Sequence, residues 1–317
     1  MRTGAAAGHE GYFHEAVVYS SDDELLAVLL PFLAGGSDAN EPTLVALGER
    51  NAALVRTALP ARAKVGFLTG GAVYARPAAA IRSYRRLLSD HVAAGARQIR
   101  IVGELPPTAF GATWDWWTRY ESAINHAYDD FPLWSMCAYD RRTTTPDQLR
   151  EVARTHPRTA CPDGTHPLSP AYLDPVSYLS ERRPAPADPV QAGPPFAELA
   201  APSPAAARAV VRAAGHGLLG LDDLEDLLVA ATEAVTNATV HGRAPVVMRV
   251  WTGPDRVVVA VTDGGAGPKD PFAGLLPATD RAVGGRGLWI VNQSCNHVVT
   301  EVSSDAFTLR MTAGNPG

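Results

Sequence analysis

Glu233, Asn237 and His241 stand four residues apart, so on a helix they share one face. A carboxylate one turn from a carboxamide can do two jobs. The carboxamide oxygen can hold Mg²⁺ with its waters, and the carboxylate can take a proton. Magnesium uses few protein ligands and completes its shell with water and phosphate. The same spacing also describes a polar helix face in solvent, which is the commoner outcome when spacing is the only clue. Further along, an apolar run from Val257 to Thr262 ends at Asp263-Gly264-Gly265-Ala266-Gly267. An aspartate at a strand end can accept a hydrogen bond from an exocyclic amine, and glycines let the backbone pass close to a ligand. Gly284-Gly285-Arg286-Gly287-Leu288 precedes a helical run. Glycines before a helix start make an anion site of its free N–H groups, to which Arg286 can add charge. Each piece alone is ordinary loop chemistry.

The elements around these residues follow from apolar spacing. A helix is predicted over Pro204 to His216. A second starts at Asp222, where Glu225 completes a capping-box pattern, and carries Leu224, Leu227, Leu228, Ala231, Val235 and Ala238. Pro245 to Thr252 and Arg256 to Thr262 read as strands joined by Gly253-Pro254-Asp255. A short helix follows from Gly287, and His297 to Val302 with Phe307 to Met311 forms a closing hairpin. Helices with hairpin-connected strands imply an α+β two-layer sandwich.

The order of these pieces resembles the GHKL ATPases, whose Bergerat fold holds ATP between a sheet and a lid. The resemblance covers Ala205 to Ala313. Within that family, Glu233-Ala-Val-Thr-Asn237-Ala-Thr-Val-His241-Gly242 is similar to the anti-sigma-factor serine kinases of the RsbW/SpoIIAB type. The resemblance implies ATP and Mg²⁺ as cofactors. Asn237 would bind Mg²⁺, and Glu233 would be the general base. Asp263 would recognise the adenine amine, with Gly265 and Gly267 lining the nucleotide. Gly285, Arg286, Gly287 and Leu288 would face the phosphates, and Pro268 to Val283 would form the lid. The family's Gly-Thr pair is missing from the last hairpin, where Asp305-Ala306-Phe307-Thr308 stands, so Thr308 is the candidate hydroxyl near adenine. A histidine kinase should carry a phosphoacceptor helix pair. His216 is instead flanked by Gly215 and Gly217, as at a helix end.

Upstream, Pro184, Pro186, Pro189, Pro194, Pro195, Pro202 and Pro204 crowd one stretch, which reads as a semi-rigid linker over 181–204. Before it, strand candidates at Glu15 to Ser20, Thr43 to Leu47, Val65 to Thr69, Gln98 to Val102 and Trp134 to Tyr139 alternate with helical patterns. The first of these helices is capped by Asp22 or Asp23, and others cover Glu49 to Leu59, Pro77 to Ala94 and Trp114 to Tyr128. That alternation implies an α/β domain, a mostly parallel sheet with flanking helices. It has no Gly-x-x-x-x-Gly-Lys-Ser/Thr motif, and Gly70-Gly71 lacks the lysine. His14-Glu15, Tyr19-Ser20, Gly103-Glu104, Tyr120-Glu121 with Asn125, Met136 to Asp140 and Thr155-His156-Pro157 together resemble the MEDS (methanogen/methylotroph, DcmR) sensory domain. This resemblance implies a small-molecule sensor over 11–180.

Ligands of open α/β sheets sit at strand C-termini, which makes Glu104, Glu121, Asn125 and Tyr139 pocket candidates. A closed set, in which these groups bond one another, is the equal alternative. Trp114, Trp116 and Trp117 suit core or docking surface. His156, Cys161 and His166 match no zinc spacing, and Cys137 in an apolar strand is expected to be buried and inert.

Across all 317 residues the three cysteines are scattered, which suits a reducing compartment. The formal charge of −5 and the lack of a basic run argue against nucleic acid. No signal peptide or spanning apolar run is evident, so a cytoplasmic protein is expected. The resemblances imply a regulator in which a sensor, 11–180, controls a kinase domain, 205–317. That domain would phosphorylate a serine or threonine of an anti-sigma antagonist, could also bind a sigma factor, and could form a homodimer. A binding module merely switched by ATP is the alternative, and a sensor histidine kinase the third.

Overall fold

The computed structural model describes residues 2–68, 76–277 and 286–316. The described residues fall into two compact units, one of 2–68 and 80–179, the other of 76–79, 180–277 and 286–316.

The first unit is built on a six-stranded, wholly parallel sheet of order β3-β2-β4-β5-β1-β6. Its strands are β1 Phe13–Tyr19, β2 Thr43–Ala46, β3 Gly66–Phe67, β4 Ile99–Gly103, β5 Leu133–Asp140 and β6 Arg158–Thr159. Parallel strands covered on both faces need apolar residues at nearly every position. In β5 only the thiol-bearing Cys137 and the terminal Asp140 escape full burial. Helix α1, Asp22–Asp38, lays Leu25, Leu29, Phe32 and Leu33 against Val17, Met136 and Ala138. Its cap is Ser21, whose Oγ accepts from Glu24 N at 3.2 Å, rather than the expected Asp22 or Asp23. Those two aspartates lie in the first turn, where they complement the helix dipole.

Helices α2 Glu49–Ala58, α3 Pro77–Ala93 and α4 Trp114–Ala127 occupy the expected ranges. Trp116 and Trp117 of α4 are core residues. Helix α5, Pro146–Thr155, is fixed by a full capping box between Thr145 and Gln148. The third expected strand shrinks to Gly66–Phe67, and its predicted end, Thr69, and Gly70-Gly71 lie outside the described residues. A short α6, Pro175–Ser180, closes the unit.

The second unit is a five-stranded antiparallel sheet of order β10-β11-β9-β8-β7. It comprises β7 Ala197–Ala200, β8 Val247–Thr252, β9 Arg256–Asp263, β10 His297–Val302 and β11 Phe307–Gly314. Helices α7 Pro204–Gly215 and α9 Gly287–Ser294 flank the long α8, Leu221–Val240, and α7 and α8 pack on the sheet. This is the helices-on-one-sheet arrangement of the GHKL ATPase fold. The expected Asp222–Glu225 capping box does not form. The helix starts at Leu221 behind Gly220, which has no side chain to cap with, leaving Asp222 and Asp223 to act through the dipole.

The proline-rich stretch read as a linker is largely folded. Ala197–Ala200 extends the sheet by pairing with β8. Ahead of it, Asp188 caps the turn Pro189–Ala192 and meets Arg256, with Nη2 to Oδ1 at 3.1 Å. Val190 covers Trp251, Val258 and Ala260 on the sheet face away from the helices, and Trp251 Nε1 donates to Gly193 O at 3.2 Å. Proline suits this role, because an edge segment with few free N–H groups does not invite further strand pairing.

Candidate functional site

A cavity of ≈ 350 Å³ opens between α8, the end of β9, β11 and the start of α9. Asn237 and His241 reach it from α8, Asp263 and Gly267 from the β9 end, and Leu288 from α9. Ala234, Val261, Phe307 and Leu309 make its apolar wall. A mostly apolar cleft with a few convergent polar groups suits a flat heteroaromatic ligand.

Asp263 is almost wholly buried. Its Oδ1 accepts from Gly265 N at 2.7 Å and from Arg243 N at 3.3 Å. Among the described residues nothing donates to Oδ2, so one carboxylate oxygen is held and the other can accept a hydrogen bond from an amine N–H. Gly265 therefore serves the site by orienting Asp263. Gly267 has φ +74° and lies so close to the Phe307 ring that a Cβ there would meet it at 2.6 Å. A side chain at Gly267 would be strained and would push into the cavity wall.

Asn237 is half-buried, and among the described residues its side chain makes no hydrogen bond. The first residue of α9, Gly287, presses on it: a Cβ at Gly287 would overlap the Asn237 carboxamide. A carboxamide and the free N–H groups of a helix start therefore adjoin, the pairing that a metal-bound polyphosphate would need. The donor set fits Mg²⁺ with a nucleotide: one carboxamide oxygen, room for water, an anion-binding backbone and a separate amine acceptor. Glu233 lies one turn back on the same helix, half-buried and outside the lining of the cavity. Arg286 occupies the N-cap position of α9 and is exposed. Gly285, and the stretch 278–283 of the expected lid, lie outside the described residues, whereas Pro268, Lys269, Asp270, Ala273 and Leu276 line the cavity.

Thr308 is a correction. Its Oγ1 bonds Thr262 Oγ1 at 2.9 Å. Register pairs Phe307 with Asp263, Thr308 with Thr262 and Leu309 with Val261. Because side chains alternate along a strand, Thr308 and Thr262 share the face opposite the cavity, and Phe307 and Leu309 take the place expected for the hydroxyl. The period-2 pattern of β11 carried that information.

In the first unit the four pocket candidates separate. The Glu104 carboxylate accepts from Asn51 Nδ2 and from Gly48 N, and Asn51 also donates to Tyr19 Oη. This is a satisfied set at the C-terminal ends of β1, β2 and β4. Glu121, Asn125 and Tyr139 gather elsewhere, between the sheet and α4, with His14, Cys137 and His156, which belong to the same resemblance but were not expected in the pocket. His14 Nε2 is 3.4 Å from Cys137 Sγ and 3.6 Å from Glu121 Oε2. His156 Nε2 is 3.5 Å from Glu121 Oε2, and Cys137 Sγ is 3.7 Å from the same oxygen.

Burial raises the Glu121 carboxyl to about 8 and lowers His156 to about 4. Burial, then the neighbouring His156, lowers His14. Burial, then the Glu121 charge, raises the Cys137 thiol and the Tyr139 hydroxyl. Cys137 is thus no reactive thiolate, but its surroundings are polar, and it borders a cavity of ≈ 30 Å³ ringed by Tyr12, Tyr84, Tyr120 and Tyr128. That volume holds about one water. His166 sits on the other sheet face, bonded to Glu15 at 2.7 Å, so the spacing His156-Cys161-His166 brings no trio together.

The directions of these shifts predict a pH optimum for the first unit. Glu121 is protonated when folded and ionised when unfolded between 4.5 and about 8, so stability falls as pH rises through that window. His14 and His156 are neutral when folded and protonated when unfolded below 6.5, so stability falls as pH drops from 6.5 toward the folded value of about 4 for His156. Chelator-treated protein should be most stable at about pH 6.5 and should lose roughly 1 kcal/mol per pH unit on the alkaline side. Urea midpoints taken across pH 5 to 8.5 measure this. A midpoint that climbs steadily through pH 8 contradicts the assignment.

Residues 13–157 match the MEDS domain, described as the MEthanogen/methylotroph, DcmR Sensory domain. Residues 196–313 match the histidine kinase-like ATPase domain. None of the curated proteins compared with the chain matches it. The chain thus carries a MEDS sensory domain followed by a histidine kinase-like ATPase domain, a class of domain that binds ATP with Mg²⁺. No helix among the described residues is long and apolar enough to cross a membrane.

Proposed function

We propose that this chain is a cytoplasmic signalling regulator whose C-terminal domain is an ATP-dependent serine/threonine kinase of the anti-sigma-factor type. It acts on an anti-sigma antagonist protein under the control of the sensory domain. The observation that carries the reading is the convergence of Asn237, Asp263 and the start of α9 on one cavity.

Bound ATP with Mg²⁺ would supply the phosphoryl group and neutralise its charge as it moves. Asp263 Oδ2 would accept from the adenine amine while its Oδ1 stays held by backbone N–H groups. Asn237 Oδ1 would ligate the metal. The N–H groups at Gly287 and Leu288, with Arg286 beside them, would hold phosphate oxygens. Glu233, a turn from Asn237, would accept the proton of the incoming serine or threonine hydroxyl.

A histidine kinase is disfavoured by His216, which caps the end of α7 rather than standing on a helix face. The second reading, an ATP-switched binding module, draws on the position of Glu233 outside the cavity lining. Capture of partners by the tagged full chain, followed by labelled-ATP transfer and phosphosite mapping, decides between them. Phosphoserine or phosphothreonine on a captured partner supports the kinase. Capture that depends on ATP with no transfer supports the switch.

A further inference from the structure

The cluster beneath α4 has the make-up of a metal site. The possible ligand atoms of His14, Glu121, Cys137 and His156 all lie within 4.8 Å of one another. Four of the separations are 3.4, 3.5, 3.6 and 3.7 Å. Bonds of roughly 2.0–2.3 Å to nitrogen, oxygen and sulfur around a tetrahedral ion place neighbouring ligand atoms about 3.3–3.7 Å apart. Four of the six edges of such a tetrahedron already have that length, and the other two are no longer than 4.8 Å.

The second shell points the same way. Asn125 Nδ2 donates to the carbonyls of Glu121, Ser122 and Thr155, at 3.0, 3.2 and 2.8 Å. This fixes the amide with Oδ1 toward His14 Nδ1, 2.9 Å away. An amide oxygen only accepts, so Nδ1 carries the proton and Nε2 presents a bare lone pair to the cluster. His156 is set the same way: Nδ1 lies 2.9 Å from the carbonyl of Val152, leaving Nε2 bare. That Nε2 is buried and makes no hydrogen bond. Histidines whose outer nitrogen is anchored to an amide or backbone carbonyl, and whose inner nitrogen is free, are oriented as metal ligands are.

Charge balances as well. A divalent ion bound by one thiolate and one carboxylate is neutral overall, which a buried site without other countercharges needs.

We propose that His14, Glu121, Cys137 and His156 form a tetrahedral site for Zn²⁺ that ties β1, α4, β5 and the end of α5 together. On binding, Zn²⁺ releases its water ligands, the S–H of Cys137 and O–H of Glu121 give their protons to solvent, and two Zn–N, one Zn–S and one Zn–O bonds form. Four protein ligands leave no open position, so the ion is a structural or sensory element and not a hydrolytic one. Cys137, the ligand beside the tyrosine-ringed cavity, is the one a small ligand would disturb.

The test uses the full chain, stripped with chelator, dialysed, and titrated with Zn²⁺ or Co²⁺. The expected result is one ion bound per chain at this site. The Co²⁺ form should show intense tetrahedral d–d bands and a thiolate-to-cobalt charge-transfer band. Cys137→Ser should lose the charge-transfer band while Cys161→Ser keeps it, and Asn125→Ala should weaken binding by about 10–100-fold. If Cys137→Ser fails to fold, the wild-type spectrum and the Cys161→Ser control still decide. Substoichiometric uptake by folded wild-type protein, a Co²⁺ spectrum without a thiolate band, or loss of that band in Cys161→Ser would overturn the proposal.

Discussion

Asn237→Ala is expected to weaken binding of ATP with Mg²⁺ by about 100-fold, or roughly 2.7 kcal/mol. In the proposed function the carboxamide is the ligand that α8 would offer to the metal, and it abuts Gly287 at the start of α9. Without it the ion loses its link to the helix, and the phosphates lose the charge that lets them approach one another's oxygens in a partly apolar cleft. Adenosine carries no phosphate and needs no metal, so its weak binding should persist through Asp263. Calorimetry with the two ligands separates a metal defect from a folding defect. Equal losses for both would show a damaged cavity, and unchanged ATP affinity would remove Asn237 from metal binding.

Glu233→Gln is expected to leave ATP affinity within about threefold of wild type and to lower phosphoryl transfer by roughly 10²–10⁴-fold, the usual worth of a positioned base. The substitution keeps size and hydrogen-bonding capacity while removing the proton acceptor. Glu233 makes no side-chain hydrogen bond among the described residues and does not line the cavity, so little of the nucleotide site depends on it. Labelled-ATP transfer to a captured partner reads the effect. Undiminished transfer would exclude Glu233 as the base.

Much of the second unit was legible because its chemistry sits in local patterns. The Glu233–Asn237–His241 stripe needs only helix periodicity, and Asp263 needs only a strand followed by glycines. The position of Thr308 depends on strand alternation: along β11 Phe307 and Leu309 fall with Asp263 and Val261, and Thr308 lies behind them. The fold of the proline-rich stretch is not legible from composition, which does not reveal that Asp188 meets Arg256 or that Ala197–Ala200 pairs with β8.

The polar cluster of the first unit had no local signature. His14 and Cys137 are distant in sequence and meet because β1 and β5 pair in parallel with Ala16 opposite Cys137. Glu121 and Asn125, a helical turn apart, were legible as a pair. Their partners depend on strand order, which no spacing in the chain encodes. The evenly spaced His156, Cys161 and His166 matched no zinc pattern, and His166 indeed bonds Glu15 on the far face of the sheet.

A crystal structure of the full chain grown with Mg²⁺ and AMP-PNP tests the central claim most directly. The account predicts the adenine amine on Asp263 Oδ2, the metal on Asn237 Oδ1 and phosphate oxygens on the N–H groups that open α9. Nucleotide bound elsewhere, or with its metal held by residues other than Asn237, would contradict it.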